Sequence, residues 1–189
     1  MRACARFGIV ERMARRKRGD VPAGIYHVNT RGAGPAPIFR DDDDRTMFCS
    51  QLVRTIVRMG WICRAFCFMT THYHLLLDVP AETLQPGMRR LNGNYARAFN
   101  LRHGRNGHLF GERYYDAYVE TDQHMLAILR YFARNPVEAG MCATPSDWYW
   151  GSYRGCLGLA NDFPFVDSSM VRDYFHSDAD DMRRFVGED

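Results

Sequence analysis

From Ala23 to Arg31 the chain alternates, with Tyr26, Val28 and Thr30 on one side and Ile25, His27 and Asn29 on the other. A period of two is the mark of a strand with two unlike faces. Gly32-Ala-Gly-Pro-Ala-Pro37 ends it. Asp41 to Asp44 then opens a helix, because carboxylates suit the positive end of a helix dipole. Phe48, Leu52, Ile56 and Met59 are spaced for one buried helical face, and Gly60 supplies the stop. Trp61 to Met69, rich in aromatic and β-favouring residues, predicts a second strand. Thr70-Thr71 is a short connection, and His72 to Val79, closed by Pro80, predicts a third strand in an antiparallel hairpin with the second. A second helix spans Glu82 to Leu101, with Pro86 in its early part and Leu84, Met88, Leu91, Tyr95 and Phe99 as its apolar stripe. A glycine-spotted loop from His103 to His108 leads into a fourth strand over Arg113 to Glu120. Thr121 caps a third helix that runs through Arg134 and is terminated by Pro136.

The order strand, helix, strand, strand, helix, strand, helix predicts an α+β fold: a ferredoxin-like, split βαβ antiparallel sheet with helices mainly on one face. Beyond Gly140 the pattern is less regular. Trp148 to Tyr153 is a short aromatic segment, and Ser168 to Phe185 predicts a C-terminal helix. The expected division is a basic, disordered leader over 1–20, a main domain over 21–153 and a C-terminal helical extension over 154–189. Arg15-Arg16-Lys17-Arg18 lies in the leader, and either Met1 or Met13 is a candidate start.

A length of 189 residues suits one domain with tails, and 46% hydrophobic residues suffice for an ordinary core. Cys4, Cys49, Cys63, Cys67, Cys142 and Cys156 are scattered without a CxxC pair, and the basic start is not followed by an apolar run. They read as reduced thiols of a cytoplasmic protein. No apolar stretch is long enough to cross a membrane, so no membrane partner is expected. The net charge of +3 is too weak to define a partner, but its distribution changes the picture. No acidic residue stands between Glu82 and Glu112, whereas Arg89, Arg90, Arg97, Arg102 and Arg105 do, with His103 and His108. Such a strip offers a local positive face to phosphates, and it equally describes a solvated helix face.

His72-Tyr73-His74 is the sharpest local feature. Side chains of a strand alternate, so His72 and His74 point the same way and together suit a divalent metal. On the third helix Tyr131 and Asn135 stand one turn apart on one face. If that face meets the histidines, a tyrosine hydroxyl and an amide oxygen approach one metal site. The alternative is a half-buried core tyrosine and an asparagine cap before Pro136.

Several blocks in order decide between these readings: Tyr26-His-Val-Asn-Thr-Arg-Gly32, Pro37-Ile-Phe-Arg40, Met69-Thr-Thr-His-Tyr-His-Leu-Leu-Leu77, Met88-Arg-Arg-Leu-Asn-Gly-Asn-Tyr95, Phe99-Asn-Leu-Arg-His-Gly-Arg-Asn-Gly-His-Leu-Phe110 and Arg134-Asn-Pro-Val-Glu-Ala-Gly140. Over about 24–153 the chain resembles the single-tyrosine HUH transposases of the IS200 type, and within them the REP-associated tyrosine transposases. The resemblance implies metal-dependent cleavage and rejoining of single-stranded hairpin DNA through a 5′-phosphotyrosine, as in DNA transposition. It implies Tyr131 as nucleophile, His72, His74 and Asn135 as ligands, and Mg²⁺ or Mn²⁺ as cofactor. The expected DNA contacts are Arg89, Arg90, Arg97, Arg102, Arg105, His108, Arg113 and Tyr114, in a monomer or homodimer. Tyr114 and Tyr115 are rival nucleophiles, judged better suited to packing or base stacking. Two departures stand out: Thr71 replaces the family's usual Asn, and Gly111-Glu112-Arg113-Tyr114-Tyr115 replaces Gln-Gly-Arg-Tyr/Phe-Lys. Two further readings compete: a domesticated, non-cleaving DNA- or RNA-binding module on the same fold, and a metallohydrolase that recruits His27 and Asp78.

Overall fold

Four strands, β1 (Gly24–Arg31), β2 (Ile62–Phe68), β3 (His72–Val79) and β4 (Tyr115–Tyr118), form one antiparallel sheet in the order β2-β3-β1-β4. The computed structural model describes residues 21–160 and 162–188; the basic leader over 1–20 and Cys4 lie outside the described residues. β1 and β3 pair over their whole length, from Gly24 opposite Val79 to Arg31 opposite His72. This is the strand order of the ferredoxin-like fold.

The alternation read from the sequence assigns each strand residue to a layer. Tyr26, Val28, Phe66, Phe68, Tyr73, Leu75 and Leu77 are buried beneath α1 (Asp42–Met59) and α2 (Leu84–Arg102), which lie together on one face. Asp41 caps α1 by accepting from the Asp44 amide, and Gly60 ends it in the left-handed region. Leu84, Met88, Leu91, Tyr95 and Phe99 form the buried stripe of α2.

Gly87 lets α2 approach the sheet, since a Cβ there would overlap the Trp61 indole, itself buried. Alanine normally favours a helix over glycine by about 1 kcal/mol. Gly87→Ala is nonetheless expected to destabilise by about 1–3 kcal/mol through overpacking. Gly93→Ala, on the same helix with open space around it, is expected to stabilise slightly. Denaturant melts of the two variants check the sign of each.

α3 (Asp122–Glu138) lies on the opposite face, where Met125, Ile128, Leu129, Phe132 and Ala133 pack against Ala65, Cys67 and Leu76. Thr121 caps it as expected, accepting from the His124 amide at 3.1 Å. Pro136 does not terminate it. The helix runs to Glu138 and closes with Ala139 N–H on the Asn135 carbonyl and Gly140 N–H on the Val137 carbonyl. A proline lacks one amide donor, and in the last turn that forfeits a single hydrogen bond. Asn135 is therefore a helix-interior residue on the same face as Tyr131.

β4 is shorter than the expected 113–120. The chain steps from Gly111, bonded to the Arg31 carbonyl, to Tyr115, paired with Asn29, while β1 advances only from Arg31 to Asn29. Residues 112–114 therefore bow out of the ladder. The C-terminal helix is two helices, α5 (Ser169–Asp173) and α6 (Ala179–Val186), separated where His176 and Ser177 take positive φ. Asp178 then starts α6 afresh by accepting from the amides of Asp180 and Asp181. A short 3-10 turn over Pro145–Asp147 and a short helix, α4 (Tyr153–Cys156), precede them.

Tyr153, Val171, Phe175, Met182 and Val186 extend the α3-side core. The same segments cover the open edge of β2. Phe68 N–H donates to the Trp150 carbonyl, Phe66 N–H to Ser152 Oγ, and Asp167 N–H to the Cys63 carbonyl. An unpaired edge strand invites intermolecular pairing, and here its hydrogen bonds are used internally. No helix among the described residues is long and apolar enough to cross a membrane.

Candidate active site on the α3 face of the sheet

Because strand residues alternate, the odd-numbered Tyr73 faces α1 and α2 while His72 and His74 face α3. Their rings lie 5.0 Å apart at 88°. Tyr131 of α3 stands edge-on to His74, centroid to centroid 5.1 Å at 85°. Phe132 packs on the same ring at 5.4 Å. The α3 face bearing Tyr131 thus meets His74. Asn135 follows one turn on, and its buried amide Nδ2 has no hydrogen-bond partner.

Burial sets the electrostatics of the pair. Burial pulls the His72 pKa down to about 4, helped by the Arg31 charge. Burial likewise holds His74 well below the usual range, with His27, His72 and Arg31 adding to the effect. Both imidazoles are therefore neutral at physiological pH, the form that ligates. His72 Nδ1 lies 3.2 Å from Thr71 Oγ1, and His74 Nδ1 lies 3.0 Å from His27 Nε2. The Nδ1 atoms are thus engaged locally, and His74 Nε2 is buried without a partner. A buried ring nitrogen of His74 and a buried amide of Asn135, both without hydrogen-bond partners, are polar groups that could take a cation. A half-turn of the Asn135 amide exchanges its nitrogen for its oxygen at that position. Among the described residues no three of His, Cys, Asp and Glu gather as a metal cluster. Asp78, a ligand in the metallohydrolase reading, is ion-paired with Arg64 at 3.0 Å.

The basic residues separate into three groups. Arg89, Arg90 and Arg97 are exposed on α2, in the layer across the sheet from the histidines. His108 and Arg113 are exposed on a loop that Gly32 and Phe110 bridge to the end of β1, next to Arg31 and His72. Gly32 permits that crossing, since a Cβ there would press on Ile38 and on the Ala36 carbonyl. The third group has structural partners. Arg102 Nη1 donates to Asp41 and Asp44 and Nη2 to Asp43, so its guanidinium is committed to the start of α1. Arg105 lies over the Phe99 ring at 5.6 Å.

Tyr114 is buried in the α1/α2 core, with Arg113 donating to its hydroxyl at 3.0 Å and stacked 4.8 Å above its ring, so it packs rather than offering a face to a base. Tyr115, by contrast, is half-buried on the α3 face, 6.4 Å from His27. Two further residues border the site, Arg31, which the sequence did not single out, and Thr71, which it marked only as a departure from the family pattern. Arg31 becomes relevant only through the β1–β3 register that sets it opposite His72, and Thr71 only through its hydroxyl contact.

The ferredoxin-like sheet thus carries the histidine pair on the face that α3 covers, with Tyr131 against His74. Residues 21–135 match the family model described as Transposase IS200 like, and the chain belongs to that family, whose members are enzymes of DNA transposition. A solved structure described as a REP-associated tyrosine transposase bound to a REP hairpin is similar to it in fold, with TM-score 0.64 and 14% identity over 83% of this chain and 94% of that one. A candidate transposase from Deinococcus radiodurans R1 gives TM-score 0.45 and 20% identity over 65% and 97% of the two chains. No curated protein matches the chain.

Proposed function

We propose that this transposase cleaves and rejoins single-stranded DNA flanking a hairpin, with Tyr131 as nucleophile and a divalent cation held by His72, His74 and Asn135. The observation that carries this reading is the edge-on contact of Tyr131 with His74. It sets a hydroxyl-bearing side chain beside the His74 imidazole, whose buried Nε2 has no partner and whose ring neighbours that of His72.

Tyr131 Oη attacks the scissile phosphorus in line. The bond to the 3′-oxygen breaks, leaving a 3′-hydroxyl on one strand and a 5′-phosphate esterified to the tyrosine on the other. A second 3′-hydroxyl reverses the step and regenerates the phenol, so the bond energy is conserved through the exchange. Mg²⁺ or Mn²⁺, when bound, supplies Lewis-acid polarisation of the phosphate and offsets its developing charge. Neutral ligands leave the full charge of the cation available to the substrate. Arg31, exposed opposite His72, adds a fixed positive charge at the same end of the sheet.

His108 and Arg113 extend this charge along the adjoining loop, and Arg89, Arg90 and Arg97 provide a separate phosphate-binding surface on α2. DNA that reaches both passes around the end of the sheet. The enzyme works as a monomer or homodimer in the cytoplasm, on DNA and without a membrane.

Incubation with a labelled hairpin bearing a single-stranded flank tests the reading. Cleavage with a free 3′-hydroxyl product is expected in Mn²⁺ and none in EDTA. Tight, salt-sensitive binding with no cleavage across a varied set of hairpins would instead assign the non-cleaving binding module. Arg31→Ala is expected to slow cleavage about 10²-fold, the cost of losing one electrostatic contact to the reacting phosphate. An unchanged rate would remove Arg31 from the site.

A further inference from the structure

We infer that His27 is a positioning residue: it accepts a hydrogen bond from His74 Nδ1–H and so locks His74 in the tautomer whose Nε2 carries the lone pair. The inference rests on the assignment of His74 as a metal ligand and adds the residue that orients it.

His27 Nε2 and His74 Nδ1 are 3.0 Å apart, and both residues are buried. Their rings are tilted by 36° with centroids 5.3 Å apart, and Phe132 packs on both rings at 5.2 and 5.4 Å. The contact is built into the sheet. β1 and β3 pair so that Asn29 lies opposite His74 and Leu76 opposite His27, which makes the two histidines diagonal neighbours on one face.

Two neutral imidazoles share one proton along this line, and there are two ways to place it. If His27 Nε2–H donates, His74 must carry its own proton on Nε2. That leaves Nε2 as a buried N–H, which no cation can use. If His74 Nδ1–H donates, its buried Nε2 is a bare lone pair, the state a cation requires. Ligating histidines generally donate their other ring N–H to a carboxylate or carbonyl. Here a third histidine occupies that place, which keeps the site uncharged. Thr71 Oγ1 stands in the same relation to His72.

The first test needs no metal. Two-dimensional ¹⁵N–¹H spectra of the metal-free protein at neutral pH report which nitrogen of His74 is protonated. The inference expects Nδ1–H, and an Nε2–H tautomer overturns it. The second test is Mn²⁺ affinity, read by the signal of free Mn²⁺. His27→Phe keeps a ring against Phe132 but has no acceptor, and is expected to weaken binding 10- to 100-fold. His27→Gln, which retains an acceptor, is expected to recover most of that loss. Unchanged affinity in folded His27→Phe overturns the positioning role. If His72→Ala also binds Mn²⁺ like the wild type, it is the metal site itself that is misassigned. Should His27→Phe fail to fold, the wild-type tautomer still decides.

Discussion

His72→Ala is expected to cut metal-dependent strand cleavage roughly a hundredfold or more while leaving the protein folded. Loss of an outer hydrogen-bond partner alone costs a metal site 10- to 100-fold, so loss of a ligand sets that range as a floor. His72 is at the end of β3 and only partly buried, and its Nδ1 contact is to the adjacent Thr71, so its removal leaves the core intact. His74→Ala is expected to abolish cleavage too but to lower thermal stability as well. It opens a void beneath Phe132 and Tyr131 and leaves His27 Nε2 without its partner. Cleavage assays in Mn²⁺, paired with thermal melts of the same preparations, separate the two effects. A His72→Ala protein that cleaves at the wild-type rate would contradict the ligand assignment.

Tyr131→Phe is expected to lose cleavage by about 10⁴-fold or more, the scale seen when a nucleophile is deleted from an otherwise intact site. The phenylalanine keeps the ring that stands against His74 and changes only the hydroxyl. Tyr115→Phe is the informative control, because Tyr115 shares the site's face and lies near His27. Its cleavage is expected to stay within a few-fold of wild type. Tyr114→Phe is expected to keep activity too and to lose about 1 kcal/mol of stability with the Arg113 hydrogen bond. Comparable losses in Tyr115→Phe and Tyr131→Phe would mean that the hydroxyl assigned here is not the one that reacts.

Much of this arrangement was legible in the sequence because it depends on short-range periodicity. Alternation alone put His72 and His74 on one side of β3 and Tyr73 on the other. The helical spacing of Tyr131 and Asn135 put both on one face of α3. The long apolar stripe of α2 specified its buried side without ambiguity. What failed was local chemistry overridden by context. Pro136 reads as a stop, yet in the final turn it forfeits one hydrogen bond, and its burial against the α3-side layer holds the helix through it. The C-terminal pattern reads as one helix, but the left-handed pair His176 and Ser177 breaks it, and neither residue announces such a conformation.

What the sequence hid altogether was long-range partnership. The run of arginines before Glu112 looks like one footprint, although Arg102 is bound by the carboxylates of Asp41, Asp43 and Asp44 at the start of α1. Arg89, Arg90 and Arg97 lie in a different layer from His108 and Arg113. In the sequence His27 stands out only as a ligand in the metallohydrolase reading and Arg31 not at all; both reach the histidine pair through the register of β1 against β3, which no periodicity within either strand fixes.

The most direct test of the account is to find which residue becomes attached to DNA. The protein is incubated with a hairpin oligonucleotide and Mn²⁺, resolved under denaturing conditions, and the retarded band digested and sequenced by mass spectrometry. The account predicts a nucleotide linked through its 5′-phosphate to Tyr131, on a band absent in EDTA. A covalent nucleotide on Tyr115, or cleaved DNA with no covalent protein at any time point, would contradict it.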